Sequence, residues 1–277
     1  MKKTDLTIVI ITHNSQNQIE GCLKSIANQN IPVNILIIDN CSTDKTWNKL
    51  QTLKKPNITL IKNKINSGFA KAVNQGVRFS NRNFKNSQLL LLNPDTELAE
   101  DCLKNLIQAL KTDSKLGLCS PLIKNSQTKK TIFEKGQINW LRMNTTHNSV
   151  PKVSLDYLTG CCLLIKKPVW DKLEGLDERF FLYYEDADLS LRAQKNGFKI
   201  KTVKSAICFH QESSSSDSDE KTYQLVKNGL IFFHKHFSLP IRFLYFCPIF
   251  WLRLLYHTLI SHKKPVLRGM KDFYLNK

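Results

Sequence analysis

The chain has 277 residues, a hydrophobic fraction of 42% and a formal net charge of +18. This length suits one large α/β domain or two small ones, and the apolar content excludes general disorder. The positive charge points to an anionic partner (nucleic acid, nucleotide phosphates or an anionic membrane surface), but the lysines are scattered, so charge alone does not choose among these.

Residues 6–11 are apolar and β-branched between polar flanks, which predicts a central parallel strand. This run stops at Thr12-His13-Asn14 instead of a small-residue cleavage site, so the start does not read as a signal peptide. Ile19, Leu23 and Ile26 then fall on one helix face, with Asn17 and Glu20 at capping-box spacing. Residues 35–38 predict a second strand ending in Asp39, and Ser42-Thr43 can cap a helix that turns Trp47, Leu50 and Leu53 inward. A third strand at 58–61 precedes an Asn66-Ser67-Gly68 turn and a helix carrying Phe69, Val73 and Val77. Four leucines, Leu89 to Leu92, read as a strand buried on both faces, stopped by Pro94, which has no amide to donate. A helix with Leu103, Leu106 and Leu110 follows. Strands alternating with helices over short connections predict an α/β fold with a mostly parallel, doubly wound sheet.

From about Gly117 the alternation loosens. Residues 124–135 read as a surface loop or hairpin, 155–165 as a core strand interrupted by Gly160, and Pro168 opens a short helix. The aromatic run 180–184 leads directly into Glu185, Asp186 and Asp188, then a helix. Residues 200–209 form a strand ending at His210, and 213–220 are serine- and acid-rich. The helical tail at 239–260 is strongly hydrophobic but contains Arg242 and Arg253. It can span a membrane, lie in its interface as an amphipathic helix or hairpin, or pack against the domain or a second subunit in a homo-oligomer. Eight cysteines without a C-x-x-C spacing argue against zinc or a disulfide framework and for reduced thiols in the cytosol.

Thr12 to Asn14, Asp39, Asp95 and His210 all stand at the carboxyl ends of predicted strands, where open α/β sheets bind ligands. Each has a structural alternative. Asn93-Pro94-Asp95 can be a turn or a metal site, and Asp39 can be a helix N-cap. His210 can be a satisfied strand-end histidine, and Asp186 can sit at a solvated helix start. Asp188 and Arg192 have i,i+4 spacing and read as a structural ion pair.

The ordered set TIVIITHN (7–14), IDNCSTD (38–44), NSGFA (66–70), LNPD (92–95), YLTG (157–160) and DERFFLYYEDADL (177–189), with His210 and Ser213, resembles family 2 of the inverting GT-A glycosyltransferases, especially its rhamnosyltransferase-like branch. The resemblance covers about residues 6–237. It implies a GT-A glycosyltransferase domain over 1–237 (nucleotide half 1–116, acceptor half 117–237), followed by a membrane- or partner-associating segment, 238–277. It also implies that Asp39 binds base or ribose near Thr12 and Asn14, and that Asn66 and Gly68 shape the phosphate side. Asp95 and His210 would hold Mg²⁺ or Mn²⁺, with neutral Asn93 in place of the motif's first acid. Asp186 would be the general base, with Glu185 and Gly160 lining the acceptor and sugar pocket.

The chemistry needs these groups. Oxygen ligands suit either metal, a histidine leans toward Mn²⁺, and the cation offsets charge on a departing diphosphate. A carboxylate must take the proton of a poorly nucleophilic hydroxyl. The expected partners are a dTDP- or UDP-sugar donor, a glycan or lipid-linked acceptor and the inner face of the cell membrane. A nucleic-acid binder lacks a basic stripe, and a dinucleotide oxidoreductase lacks G-x-G-x-x-G after the first strand. A non-catalytic nucleotide-binding or membrane-docking module is the competing reading.

Overall fold

The structure is a computed structural model that describes residues 5–84, 87–148, 154–211 and 218–275. The first part alternates as its hydrophobic periodicity requires: β1 (Leu6–Thr12), α1 (Ile19–Ala27), β2 (Asn34–Asp39), α2 (Thr46–Thr52), β3 (Ile58–Lys62), α3 (Phe69–Asn83) and β4 (Gln88–Leu92). Then come β5 (Thr96–Leu98), α4 (Cys102–Thr112), β6 (Leu116–Asn125), β7 (Thr131–Phe133), β8 (Lys135–Asn139), β9 (Asn144–Asn148), β10 (Cys162–Lys166), α5 (Lys167–Lys172), α6 (Glu185–Lys195), β11 (Lys199–His210) and α7 (Ser218–His236). Of the serine- and acid-rich stretch, 213–217 lies outside the described residues, and with it the Ser213 match.

The main sheet runs β3-β2-β1-β4-β10-β6-β11-β5, with β7 added beside β6. The β3-β2-β1-β4 half is parallel, as helical crossovers demand. The other half is mixed. β10 runs antiparallel to both β4 and β6, and β11 is parallel to β6. The reversal matters for the site. It brings the start of β10, not its end, to the edge where β1, β2, β4 and β11 finish.

The leucine strand is the spine. Leu90 and Leu92 join the core that contains Ile19, Ile26, Leu103 and Leu106, while Leu89 and Leu91 join the one that contains Val73, Val77, Val169 and Trp170. Each is at most 1% exposed. Burial of that order stabilises by about 1.5–3 kcal/mol per side chain.

Three local expectations change. Asn17 and Glu20 form no capping box: α1 starts at Ile19, the Ser15 carbonyl accepts the Gln18 and Ile19 amides, and Glu20 pairs with Lys49 at 2.8 Å. Ser42 and Thr43 do not cap α2; Asp44 Oδ1 accepts the Thr46 amide at 2.9 Å, while Ser42 turns back to Asp39. The expected strand at 155–165 is regular only from Cys162, since Tyr157 makes an isolated bridge with Gly136.

The tail is a helix, Leu239–Ser261, long and apolar enough to cross a membrane by length and composition. The last helix, Lys264–Leu275, folds back onto α7, where Tyr223 donates its hydroxyl proton to Asp272 at 2.6 Å.

Candidate active site

The ends of β1 and β2 form a polar lattice. Asp39 is fully buried; its Oδ1 accepts the Thr12 hydroxyl at 3.1 Å and the Ser42 hydroxyl at 2.5 Å, and its Oδ2 the Ser42 amide at 3.3 Å. Asp39 is therefore not a helix cap, and in this structure its carboxylate is spent on holding the 39–44 loop. Asn14, in the left-handed region at φ 53°, accepts the Thr43 amide on its side-chain oxygen at 2.8 Å. It thus ties the β1 loop to the same loop.

Asn40, which the sequence reading passed over, is the hub beside it. Its Nδ2 donates to Asn66 Oδ1 at 2.8 Å and to the Gly68 carbonyl, and its Oδ1 accepts from Asn63 and Ser67. Gly68 sits at φ 84°, where an added Cβ would stand 2.7 Å from the Phe181 carbonyl oxygen. That carbonyl also accepts the Phe69 amide at 2.7 Å. The expected phosphate-side turn is thereby locked to the aromatic run preceding the acidic cluster.

Asp95 and His210 meet at the end of β4 and β11. Asp95 Oδ2 lies 3.3 Å from His210 Nε2, and each side chain is 21% exposed. Asp95 Oδ1 is buried without a hydrogen-bond partner. Asp95 also lines a cavity of about 250 Å³ with Glu97, Lys129, Phe209 and Gln211. Asn93 reaches this place through its backbone: its amide donates to the Cys161 carbonyl at 2.8 Å and its carbonyl accepts the Thr96 hydroxyl at 2.6 Å.

The residues expected on the acceptor side are tied to the same strand start. Asp186 lies in the first turn of α6; its Oδ2 accepts the Gly160 amide at 2.9 Å and its Oδ1 the Ala187 amide at 2.7 Å. Burial pushes its carboxyl up, and these two amides oppose the shift by stabilising the anion. Glu185 beside it is 6% exposed with Oε2 unpartnered. Burial first, then the Asp186 charge, pushes it up to about 8. Both adjacent carboxyls are thus raised, and a charge on one opposes ionisation of the other.

The backbone leading into them is strained, with Tyr183 at φ 73° and Tyr184 at φ 70°. Packing holds it. Asn228, fully buried, donates to the Leu182 carbonyl at 2.6 Å, and the Tyr184 ring lies 5.5 Å from that of Phe232. Lys227, next to Asn228, lies over the Tyr223 ring. Asp188 is structural, as its spacing with Arg192 predicts. It is fully buried and contacts Arg192 at 2.7 Å, Lys235 at 2.6 Å and His236 at 2.8 Å. Burial opposes its ionisation, yet these partners hold its carboxyl below the usual range.

Asp95 and His210 fit a divalent cation. They supply one hard oxygen and one imidazole, and the orphaned Asp95 Oδ1 is a buried acceptor with nothing to accept. Among the described residues no group of three metal-ligating side chains occurs. A cation here would therefore take most of its ligands from a bound diphosphate. A larger cavity of about 620 Å³ lies at the opposite ends of β2 and β3 among Leu23, Val33, Leu53 and Ile58, and holds none of these groups.

The open α/β sheet, with a polar loop lattice, the Asp95–His210 pair and the Asp186 carboxyl at one edge, has the GT-A architecture of the nucleotide-sugar transferases. The family model for glycosyl transferase family 2 matches residues 7–173, and the chain belongs to that family. It is 24% identical over 230 residues to the low-salt glycan biosynthesis hexosyltransferase Agl10 of Haloferax volcanii, covering 80% of this chain and 72% of that one. It is also 24% identical over 245 residues to the N-acetylglucosaminyl-diphospho-decaprenol L-rhamnosyltransferase of Mycobacterium tuberculosis, covering 79% and 80%. A mannosyltransferase from Pyrobaculum calidifontis, solved with GDP-Man and Mn²⁺, superposes with a TM-score of 0.63 at 15% identity, covering 100% of this chain and 89% of its own. The protein is a glycosyltransferase with a GT-A fold, similar to the rhamnosyltransferase-like branch.

Proposed function

We propose that the protein is a metal-dependent, inverting glycosyltransferase. It moves a sugar, rhamnose being the leading choice, from a dTDP- or UDP-sugar to a lipid-linked or cell-envelope glycan at the cytoplasmic face of the membrane. Residues 1–237 are the catalytic unit, divided near residue 116 into donor and acceptor halves, and 238–277 associate with the membrane. The observation that carries the reading is the shared anchor of its two reactive groups: Gly160 donates to Asp186, and the adjacent Cys161 accepts from Asn93 of the metal motif.

The nucleoside lies against the lattice of Thr12, Asn14, Asp39 and Asn40, with Asn66 and Gly68 shaping its diphosphate side. Asp95 and His210 hold Mg²⁺ or Mn²⁺, which when bound supplies positive charge to the departing diphosphate. Asp186 takes the acceptor hydroxyl proton as that oxygen bonds to the sugar's anomeric carbon. The bond from this carbon to the diphosphate oxygen breaks with its electron pair on the diphosphate. Attack opposite the leaving group inverts the carbon. Protonated Glu185 and Gly160 line the acceptor side. The similarity to a hexosyltransferase and to an N-acetylglucosaminyl-diphospho-decaprenol L-rhamnosyltransferase supports a hexose or rhamnose, and the second of these supports a lipid diphosphate acceptor.

The test is transfer from a panel of nucleotide sugars to a lipid diphosphate-linked sugar, with Mn²⁺ or Mg²⁺. A product of inverted configuration is expected. Nucleotide binding with neither donor hydrolysis nor transfer on any acceptor would instead support the non-catalytic module.

A further inference from the structure

The tail helix has two faces with different fates. Tyr245, Phe246, Ile249, Phe250 and Arg253 recur at helical spacing and face the domain. Phe246 and Phe250 are buried against Phe273. The Tyr245 hydroxyl donates to the Leu141 carbonyl, and Arg253 to the Arg142 carbonyl at 2.9 Å. The helix is thus stapled along its length to the turn between β8 and β9, an arrangement a membrane-crossing helix could not keep.

The opposite face is bare. Leu244 is 81% exposed, Leu252 66% and Leu259 64%, with Trp251, Leu255 and Ile260 between and beside them. Leu141, at the tip of the stapled turn, is 73% exposed as well. A contiguous apolar face of this kind marks an interaction site. Its setting is basic: residues 238–277 carry Arg242, Arg253, Lys263, Lys264, Arg268, Lys271 and Lys277 against Asp272 alone, and Arg142 stands on the turn. That complements an anionic surface.

We propose that the tail helix and the β8–β9 turn form one docking platform for an anionic lipid bilayer, and that this platform sets the acceptor mouth at the membrane. The helix lies in the interface with its leucine face in the acyl boundary, and Leu141 inserts beside it. β9 links the platform to the chemistry. Thr145 hydrogen-bonds the Tyr157 and Tyr184 phenols. The His147 ring packs at 5.1 Å from Phe133 and 6.1 Å from Tyr157. A lipid-linked acceptor therefore reaches Asp186 while its lipid stays in the bilayer. The docking deepens, and rests on, the membrane association proposed for 238–277, and this last consequence rests also on the proposed acceptor class.

The test is flotation of the full chain, without nucleotide or sugar, with phosphatidylglycerol/phosphatidylethanolamine vesicles and with phosphatidylcholine vesicles. Binding to the anionic vesicles is expected to be at least tenfold tighter than to phosphatidylcholine and to weaken with salt. Leu252→Glu and Leu141→Glu, both at exposed positions where folding is kept, are each expected to weaken it about tenfold. Absence of flotation with anionic vesicles, or unchanged binding by Leu141→Glu, would overturn the platform. So would a concentration-dependent dimer that buries this face and excludes vesicles, or resistance to alkaline extraction, which would mean a spanning helix. Because no substrate is present, loss of docking and loss of transferase activity are read separately.

Discussion

Gly160 donates its backbone amide to Asp186 Oδ2 at 2.9 Å, and its Cα faces the Asp186 side chain closely enough that an added Cβ would stand in van der Waals contact, 3.4 Å from the Asp186 Cβ. The next residue, Cys161, accepts the Asn93 amide at 2.8 Å. Backbone on either side of one strand start therefore ties Asp186 to the Asn93–Asp95 turn.

Asp186→Asn keeps an acceptor for the Gly160 amide and removes the base. Transfer is expected to fall by roughly 10²–10⁴, while thermal stabilisation by a nucleoside diphosphate stays near that of the parent. Because burial raises the Asp186 carboxyl, the acid limb of the parent's rate profile should lie above the ordinary value of 3.8. Full activity in the variant would remove Asp186 from the role.

Glu185 sets a pH dependence of stability. Its folded carboxyl is raised from 4.5 to about 8, by burial and then by the Asp186 charge. The folded state thus binds this proton more tightly than the unfolded chain does. The resulting stabilisation is complete below about pH 4.5 and is lost as pH rises through 8. Denaturant titrations of Glu185→Gln against the parent should show the variant gaining relative stability from pH 5 to 9, by roughly 3–5 kcal/mol at most. A constant difference across that range would contradict the assignment.

Gly68→Ala meets two penalties, a left-handed φ of 84° and the Phe181 carbonyl at 2.7 Å. The expected cost is about 2–3 kcal/mol in urea unfolding. Since the Gly68–Phe181 junction ties the phosphate-side turn to the acidic cluster, weaker nucleotide binding should accompany it. A neutral substitution would show that the junction is loose.

What could be read from sequence followed from runs that constrain both faces of a strand. Leu89 to Leu92 admits only a central position, and Pro94 stops the strand, so Asp95 had to emerge at its end. His210 was placed in the same way, and it does face Asp95. Strand direction was not legible at β10, because an apolar run looks the same in either sense; only pairing with β4 and β6 reverses it. Capping failed at Asn17 because Glu20 pairs across the fold with Lys49, and at Ser42 because its hydroxyl turns back to Asp39, three residues earlier, and not forward to α2. Asn40 and the paired left-handed Tyr183 and Tyr184 lie inside matched motifs, but nothing in their local pattern states what they do. Their roles come from residues more than 20 positions away, Asn66 for one and Asn228 for the other.

The most direct measurement is thermal stabilisation by nucleoside diphosphates and nucleotide sugars, with and without Mn²⁺, of the parent chain, Asp95→Ala and His210→Ala. A ligand at 100 times its Kd stabilises by about 2.7 kcal/mol. The account predicts a nucleotide-dependent rise in Tm that is larger with Mn²⁺ in the parent and loses its Mn²⁺ dependence in both variants. No stabilisation of the parent by any nucleotide with any metal, or an undiminished Mn²⁺ effect in both variants, would contradict it.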